Sequence, residues 1–303
     1  MKNICFFNHF HNGDIFHGKS FLDEIIKSVN TNFYYAHLNN PNLLLDLDLT
    51  HVNLSDIDVG DRTKFLETED TLYVNTWIGC YFHQGIRYSS DSMDSGCTLK
   101  FTYAMYSKIY EEINSVLKTN LKLSEVENYV PFIDYKKFNI KKIDEYVEVD
   151  KNKKILFANG PCLSGQCRYH GDLQPVIETL ASKYPEITFI VTTPLDTCLE
   201  NIRSTKDIIQ VDGCDLNEIG YLSTFCDIIV GRNSGPFCFS TNKDNVNNPN
   251  ISFYAFGDNL TDCFLYEIDL ECDFVFEFFS DLDVITSSLD NLIIEKFNHE
   301  EKN

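Results

Sequence analysis

Short, uninterrupted apolar runs alternate with helical patterns along the second half of the chain, and this alternation limits the possible folds most strongly. The predicted strands span 154–158, 187–193, 208–211, 227–231 and 251–256, and the helices include 173–184 and 216–225. Strands that alternate with helices indicate a parallel sheet with crossover helices. Strands that are apolar throughout indicate that both faces of the sheet are covered. The second half is therefore predicted to be α/β.

The first half follows the same order with a weaker pattern. Its predicted strands span 4–7, 32–38, 72–78 and 130–133, and its helices span 21–29 and 99–117. A charged stretch at 136–150 that contains no glycine separates the halves, and we place the domain boundary between residues 140 and 141. The sequence thus predicts two doubly wound, Rossmann-like domains, 1–140 and 141–303, which face each other across a cleft.

Charge and cysteine content exclude several classes of protein. A net charge of −21 over 303 residues opposes binding to nucleic acid and to anionic membranes. The 11 cysteines include no Cys-x-x-Cys pair, which favours the reducing cytoplasm over a disulfide framework. No apolar run reaches the roughly 18 residues of a membrane span, and the N-terminus lacks the apolar core of a signal peptide. The pattern indicates no oligomeric state.

A polar loop follows the first predicted strand, at the edge of the sheet where such folds bind ligands. It contains His9, His11, Asn12, Gly13 and Asp14. Asp14 could be a general base at the rim of the cleft, or it could cap the following helix. His9 and His11 could assist it or bind substrate. A metal site built from His9, His11 and His17 is an alternative, but we expect none.

A second candidate loop follows the buried run at 227–231. Its residues are Arg232, Asn233, Ser234, Gly235 and Pro236. Arginine, a hydroxyl and backbone amides at the start of a helix would suit a diphosphate. The alternative is an ordinary strand-to-helix turn with proline in its first helical turn.

Two further places could contact the same ligand. The loop at 159–171 offers Ser164, Gln166 and Arg168, although it could also be a plain surface loop. Glu218 could lie near a ribose, or it could be a carboxylate in the first turn of a helix, where the helix dipole favours negative charge.

The runs 216–222 and 226–236, together with Gly13 and Asp14, resemble the heptosyltransferases, a family of glycosyltransferases with two Rossmann-like domains (the GT-B fold). In that family a leucine-rich helix precedes an Ala/Cys-Asp strand, and a Ser-Gly-Pro turn follows. The turn departs from the family pattern, which usually has Asp and Thr before the Gly and His after the Pro. Here Arg232 comes earlier in the turn and Phe237 follows Pro236.

This resemblance implies that Asp14 is the catalytic base and that Ser234, Gly235 and Pro236 hold the donor phosphates. The predicted function is an inverting, metal-independent glycosyltransferase with no cofactor, which moves a sugar from a nucleotide-sugar to a glycan or other hydroxyl acceptor. The alternatives are a non-catalytic nucleotide-sugar binding protein of the same fold and a sugar epimerase.

Overall fold

A computed structural model describes residues 2–37, 41–82, 98–161, 171–232, 234–257, 270–278 and 281–298. Its strands are β1 (Asn3–Phe7), β2 (Phe33–Ala36), β3 (Thr50–Val52), β4 (Phe65–Glu67), β5 (Thr71–Asn75), β6 (Lys154–Ala158), β7 (Thr188–Val191), β8 (Ile202–Ser204), β9 (Ile228–Gly231), β10 (Ser252–Gly257) and β11 (Asp273–Phe278). Its α-helices are α1 (Asn12–Ser28), α2 (Ile78–Phe82), α3 (Thr98–Leu117), α4 (Lys141–Val149), α5 (Gln174–Lys183), α6 (Thr205–Ile208), α7 (Leu216–Ser223), α8 (Gly235–Ser240), α9 (Lys243–Val246) and α10 (Leu282–Asn298). Single 3-10 turns lie at Pro41–Leu44, Leu54–Asp56, Val126–Tyr129 and Tyr135–Lys137.

The described strands form two sheets, one in each half of the chain. The first has the order β3-β2-β1-β5-β4, and the second has the order β11-β10-β9-β6-β7-β8. All neighbouring strands run parallel except β4, which pairs with β5 in the antiparallel direction. The prediction of two parallel α/β units is confirmed.

The second sheet is covered on both faces, as its apolar strands predict. Ile155 and Phe157 of β6 face a cluster formed with α5 and α10. Leu156 and Ala158 face the opposite way, into a cluster formed with α7 and α8. Because successive side chains of a strand point to opposite faces, only a strand buried on both sides can be apolar at every position.

The first sheet is covered differently on its two faces. Ile4 and Phe6 face helices α1 and α3. Cys5 and Phe7 face a smaller cluster that includes Leu54 and is closed by the partly buried Ile57. A short irregular segment thus covers the face on which helices were expected.

Two predicted strands are wrong. Residues 208–211 do not form a strand; the strand lies earlier, at Ile202–Ser204, and helix α6 follows it directly. The Ser204 side chain accepts the backbone N–H of Lys206, which starts that helix. Residues 130–133 are also not a strand. Pro131 has no N–H to donate to a sheet, and its carbonyl accepts the N–H of Lys243.

The two halves are joined through one continuous apolar cluster. It contains Phe6 and Phe16 from the first half and Leu222 and Phe239 from the second. The strands of the first sheet end at residue 75 and those of the second begin at residue 154. The boundary at 140/141 lies between them, at the start of α4, and stays a prediction. Within the described residues no helix is long and apolar enough to cross a membrane.

Candidate functional site

The loops after β1 and β5 are held together at the carboxyl edge of the first sheet. The backbone N–H of Thr76 donates to the carbonyl of Phe7 over 2.9 Å, and the Thr76 hydroxyl donates to the same carbonyl over 3.1 Å. The side chain of Asn8, which is buried, accepts the N–H of Phe10 over 2.8 Å. These bonds fix the start of the polar loop relative to its neighbouring strand.

Asp14 lies in the first turn of α1, and its carboxylate reaches across to the second of these loops. Its Oδ2 accepts the backbone N–H of Ile78 over 3.3 Å. Only 6% of Asp14 is exposed. Burial raises the pKa of Asp14 to about 7, and the hydrogen bond from Ile78 partly opposes this shift. Burial thus favours the protonated form of Asp14 more than in an exposed aspartate.

Two expectations for Asp14 require correction. It does not cap α1, because the helix begins earlier than predicted and the residue at the cap position is His11, which makes no side-chain capping bond. It also does not lie at an open rim. Only 6% of the residue is exposed, so its carboxylate is enclosed.

The rest of the N-terminal loop is half-buried around Asp14. This applies to His9, His11, Asn12 and Gly13. Burial lowers the pKa of His11, which favours its neutral form. The ring of His9 meets Phe7 edge-on, with centroids 5.5 Å apart.

Helix α1 begins within this loop and packs against α8 in the second half of the chain. His17 Nε2 lies 3.1 Å from Cys238 Sγ, and both residues are fully buried. Burial lowers the pKa of His17 to about 3, so this imidazole is neutral. Next to it the rings of Phe16 and Phe239 stack with centroids 4.3 Å apart. The Asp14 region therefore adjoins α8, the helix that follows the candidate donor turn.

The candidate donor turn is anchored to the neighbouring strand by a buried arginine. Arg232 is 1% exposed, and its Nη2 donates to the carbonyl of Gly160 over 3.0 Å. Gly160 begins the loop that follows β6, so this bond ties together the loops after β6 and β9. In this structure Arg232 supports the turn from within, whereas the sequence suggested a direct phosphate contact.

Ser234 is the residue of this turn with unused hydrogen-bonding capacity. It has an extended backbone at the start of α8 and makes no capping bond. Its Oγ is buried and has no hydrogen-bond partner among the described residues. Pro236 lies in the first turn of α8, and Gly235 lets that turn approach Leu216, whose side-chain carbons would lie 3.2 Å from an added Cβ.

The remaining sequence candidates lie elsewhere. Glu218 is 5% exposed in the first turn of α7 and accepts the backbone N–H of Asn139, while burial raises its pKa. It thus contacts the segment that connects the halves, which favours the first-turn interpretation over a ribose contact. Four candidates are outside the described residues: Ser164, Gln166, Arg168 and Asn233. Within the described residues, no three His, Cys, Asp or Glu side chains are grouped as metal ligands would be.

Comparison with known proteins gives similarity in structure only. Neither the protein-family models nor the curated proteins include a match to the chain. Solved structures do match along nearly its whole length. The similar structures named here are glycosyltransferases. A family 9 glycosyl transferase from Veillonella parvula is 10% identical with a TM-score of 0.49, and covers 95% of this chain and 91% of its own.

Two heptosyltransferases of E. coli, the family that the sequence motifs resemble, are also similar. Heptosyltransferase WaaC, solved with ADP-2-deoxy-2-fluoro heptose, is 8% identical with a TM-score of 0.47, and the match covers 97% of this chain and 99% of that one. ADP-heptose LPS heptosyltransferase II is 11% identical with a TM-score of 0.49, covering 98% and 99%. Likeness at this level assigns no residue a role, so the site must be argued from this chain's own contacts.

Three contacts of the site were not predicted from the sequence. Each of them joins residues from separate segments of the chain. They are the hydrogen bond from the Ile78 N–H to Asp14, the contact of His17 with Cys238, and the pairing of Phe10 with Trp77. Trp77 lies two residues after the end of β5. Ligand contacts are common at this edge of such sheets. That position was the one available clue.

Proposed function

We propose that the chain is a glycosyltransferase in which Asp14 is the general base. The observation that carries this proposal is the enclosed Asp14 carboxylate beside α8, with a pKa raised to about 7 by burial. A general base works best when its pKa is near the working pH, since it is then both ionised and basic enough to accept a proton. An ordinary aspartate, with a pKa near 3.8, would be ionised but weakly basic.

In the proposed reaction Asp14 accepts the proton of an acceptor hydroxyl. The acceptor oxygen forms a bond to the anomeric carbon of the donor sugar, and the bond from that carbon to the diphosphate breaks. The nucleoside diphosphate leaves with the bonding electrons. A single displacement of this kind inverts the anomeric configuration. We also propose that it proceeds without a metal ion, with the nucleotide-sugar as substrate and no separate cofactor.

The proposed donor position is the turn that precedes α8. Ser234 is the best-supported contact there, because its buried Oγ has unused hydrogen-bonding capacity among the described residues. An oxygen of the donor diphosphate would satisfy it. Arg232 stabilises the turn by donating a hydrogen bond to the Gly160 carbonyl. Asn233, Ser164, Gln166 and Arg168 remain proposed contacts.

Access to Asp14 requires some movement of its surroundings. Only 6% of the residue is exposed, and α1, the helix that carries it, packs against α8. We infer that binding of substrate shifts the N-terminal loop or α8 enough to admit a hydroxyl group. Enclosure of the reacting groups would then exclude water, which would otherwise hydrolyse the donor.

Donor binding can be measured by thermal shift with UDP-, GDP-, ADP- and CMP-sugars. At about 100-fold excess over its Kd, the right donor should stabilise the protein by roughly 2.7 kcal/mol. Ser234→Ala should reduce that shift while leaving the free protein at least as stable, because the hydroxyl makes no bond in the described structure.

Ser240→Ala is the matched control for this experiment. It removes a hydroxyl from the same helix, but one that already donates to the Pro236 carbonyl over 2.9 Å. The shift caused by the donor should persist in this control. An undiminished shift in Ser234→Ala would reject the donor contact, and no shift with any of the nucleotide-sugars would argue against the proposed function.

Metal independence can be tested separately once a donor and acceptor are found. Transfer should continue at its full rate in the presence of a chelator. Loss of transfer with the chelator, restored by Mg²⁺ or Mn²⁺, would show that the proposed metal-free displacement is wrong.

A further inference from the structure

Two aromatic rings lie together at the surface beside Asp14. The ring centroids of Phe10 and Trp77 are 4.2 Å apart, with their planes tilted by 43°. Phe10 is 41% exposed, whereas Trp77 is half-buried behind it. An exposed phenylalanine on its own is common on protein surfaces. This one, however, is backed by a tryptophan from a neighbouring loop.

The position of Trp77 is built into the backbone. A Cβ atom at Gly79 would overlap the Trp77 ring, so the absence of a side chain there makes room for it. The backbone N–H of Trp77 donates to Oδ1 of the Asn75 side chain over 2.9 Å. The indole therefore has a defined place, and Phe10 rests on a fixed support.

A cation borders the aromatic pair. The guanidinium carbon of Arg62 lies 5.2 Å from the centroid of the Trp77 ring, and 60% of the Arg62 side chain is exposed. A guanidinium carries five N–H donors in a plane. That of Arg62 also pairs with the adjacent carboxylate, its Nε lying 3.9 Å from Asp61 Oδ2. An exposed phenyl ring with a cation close to the tryptophan behind it is suited to a ligand that has one apolar face and several hydroxyls.

Both rings are connected to the proposed base. Phe10 precedes Asp14 by four residues, and Trp77 immediately precedes Ile78, whose N–H binds the Asp14 carboxylate. A ligand on Phe10 would thus be held by the same two loops that position the Asp14 carboxylate.

We propose that Phe10, backed by Trp77, binds the apolar face of a sugar ring of the acceptor, and that Arg62 donates to its hydroxyls. This inference rests on the proposed function, because it identifies the acceptor as a glycoside and names the residues that select it. The C–H groups on one face of a pyranose pack against an aromatic ring, and aromatic side chains provide large contact areas of this kind.

The test uses Trp77 itself, since it is the single tryptophan of the chain. Methyl glycosides of glucose, galactose and mannose are titrated while its fluorescence is followed. We expect a saturable change in emission with at least one glycoside. Phe10→Ala should weaken that glycoside by about two- to tenfold, and Phe10→Leu should weaken it similarly because it keeps bulk but removes the ring.

Phe225→Ala is the matched control, because Phe225 is a similarly exposed phenylalanine, at 38%, in the second half of the chain. It should leave the glycoside affinity unchanged. Unfolding curves confirm that each variant is folded. Any one of three results would overturn the proposed subsite. These are no response to any glycoside, a response to the free nucleotides ADP and UDP alone, and equal glycoside affinity in wild type and Phe10→Ala.

This outcome is separable from that of the proposed function. Asp14→Asn should still bind the glycoside, since the aromatic pair is intact, even though transfer is greatly slowed. If transfer occurs and Phe10→Ala leaves the KM for the acceptor unchanged, the subsite is wrong and the glycosyltransferase stands. If glycosides bind as expected and no nucleotide-sugar is used, the subsite stands without the transferase.

Discussion

Asp14→Asn should lower turnover by about 10²–10⁴-fold while the protein remains folded and binds its donor. The amide has the shape of the carboxylate and can still accept the N–H of Ile78, but it cannot take up a proton from an acceptor hydroxyl. In the wild type, kcat/KM should rise with pH through about 7, where Asp14 ionises. This rise should be absent from the residual activity of the variant.

The same substitution should affect stability in a characteristic direction. The folded-state pKa of Asp14 is raised from 3.8 to about 7, so between these values the folded protein binds more protons at this position than the unfolded chain. Ionisation of Asp14 therefore costs stability as pH rises through this window. A shift of this size corresponds to a cost on the order of 4 kcal/mol above pH 7, which Asp14→Asn would relieve.

Urea unfolding at pH 4 and pH 8 measures this effect. The stability of Asp14→Asn relative to wild type should increase from the lower to the higher pH. Asp23→Asn, on the same helix but in an exposed pair with Lys27, is the control and should change neither turnover nor this pH dependence. Normal turnover in Asp14→Asn would exclude Asp14 as the base and direct attention to His9 and His11.

Lys19→Met should destabilise the protein by about 3–5 kcal/mol. Lys19 Nζ lies 2.5 Å from Asp46 Oδ2, and neither side chain is exposed. Without the lysine, Asp46 would be left as a buried charge. Its remaining hydrogen bond, from the N–H of Asp134 over 2.9 Å, does not neutralise that charge.

Two comparisons test whether the buried charge is the cause. Lys27→Met removes an exposed partner of Asp23 on the same helix and should cost roughly 0.5 kcal/mol or less. The double variant Lys19→Met/Asp46→Asn removes both charges but keeps an acceptor for Asp134, so it should recover much of the lost stability. A loss in Lys19→Met as small as that in Lys27→Met would contradict this account.

The parts of the fold that sequence could predict are those set by local pattern. The apolar run 154–158 indicated a strand covered on both faces, and β6 is such a strand. The alternation of strands and helices likewise predicted parallel sheets. Residues 208–211 were wrongly predicted as a strand, because the periodicity of a short apolar run does not distinguish a strand from a buried helix segment. The Ser204 side chain instead caps a helix that includes Ile208.

The site was less predictable because it depends on distant contacts. Arg232 was predicted to contact phosphate, and that contact stays a prediction. The structure adds a bond to the carbonyl of Gly160, a backbone atom that no side-chain pattern reveals. Asp14 was a plausible base from its position after the first strand. Its raised pKa depends on burial, and the backbone N–H that its carboxylate accepts comes from Ile78, 64 residues along the chain. Sequence thus indicated candidate residues, and the fold determined their environments.

The contact between His17 and Cys238 has a consequence for the order in which the molecule is made. These residues are 221 positions apart, yet they belong to the same buried surface. At a synthesis rate of roughly 5–20 residues per second, the first partner waits about 11–44 s on the ribosome before the second is translated. Throughout that time Phe16 lacks its stacking partner Phe239 on α8. We expect this part of the apolar surface of α1 to stay exposed in the nascent chain until α8 has been translated.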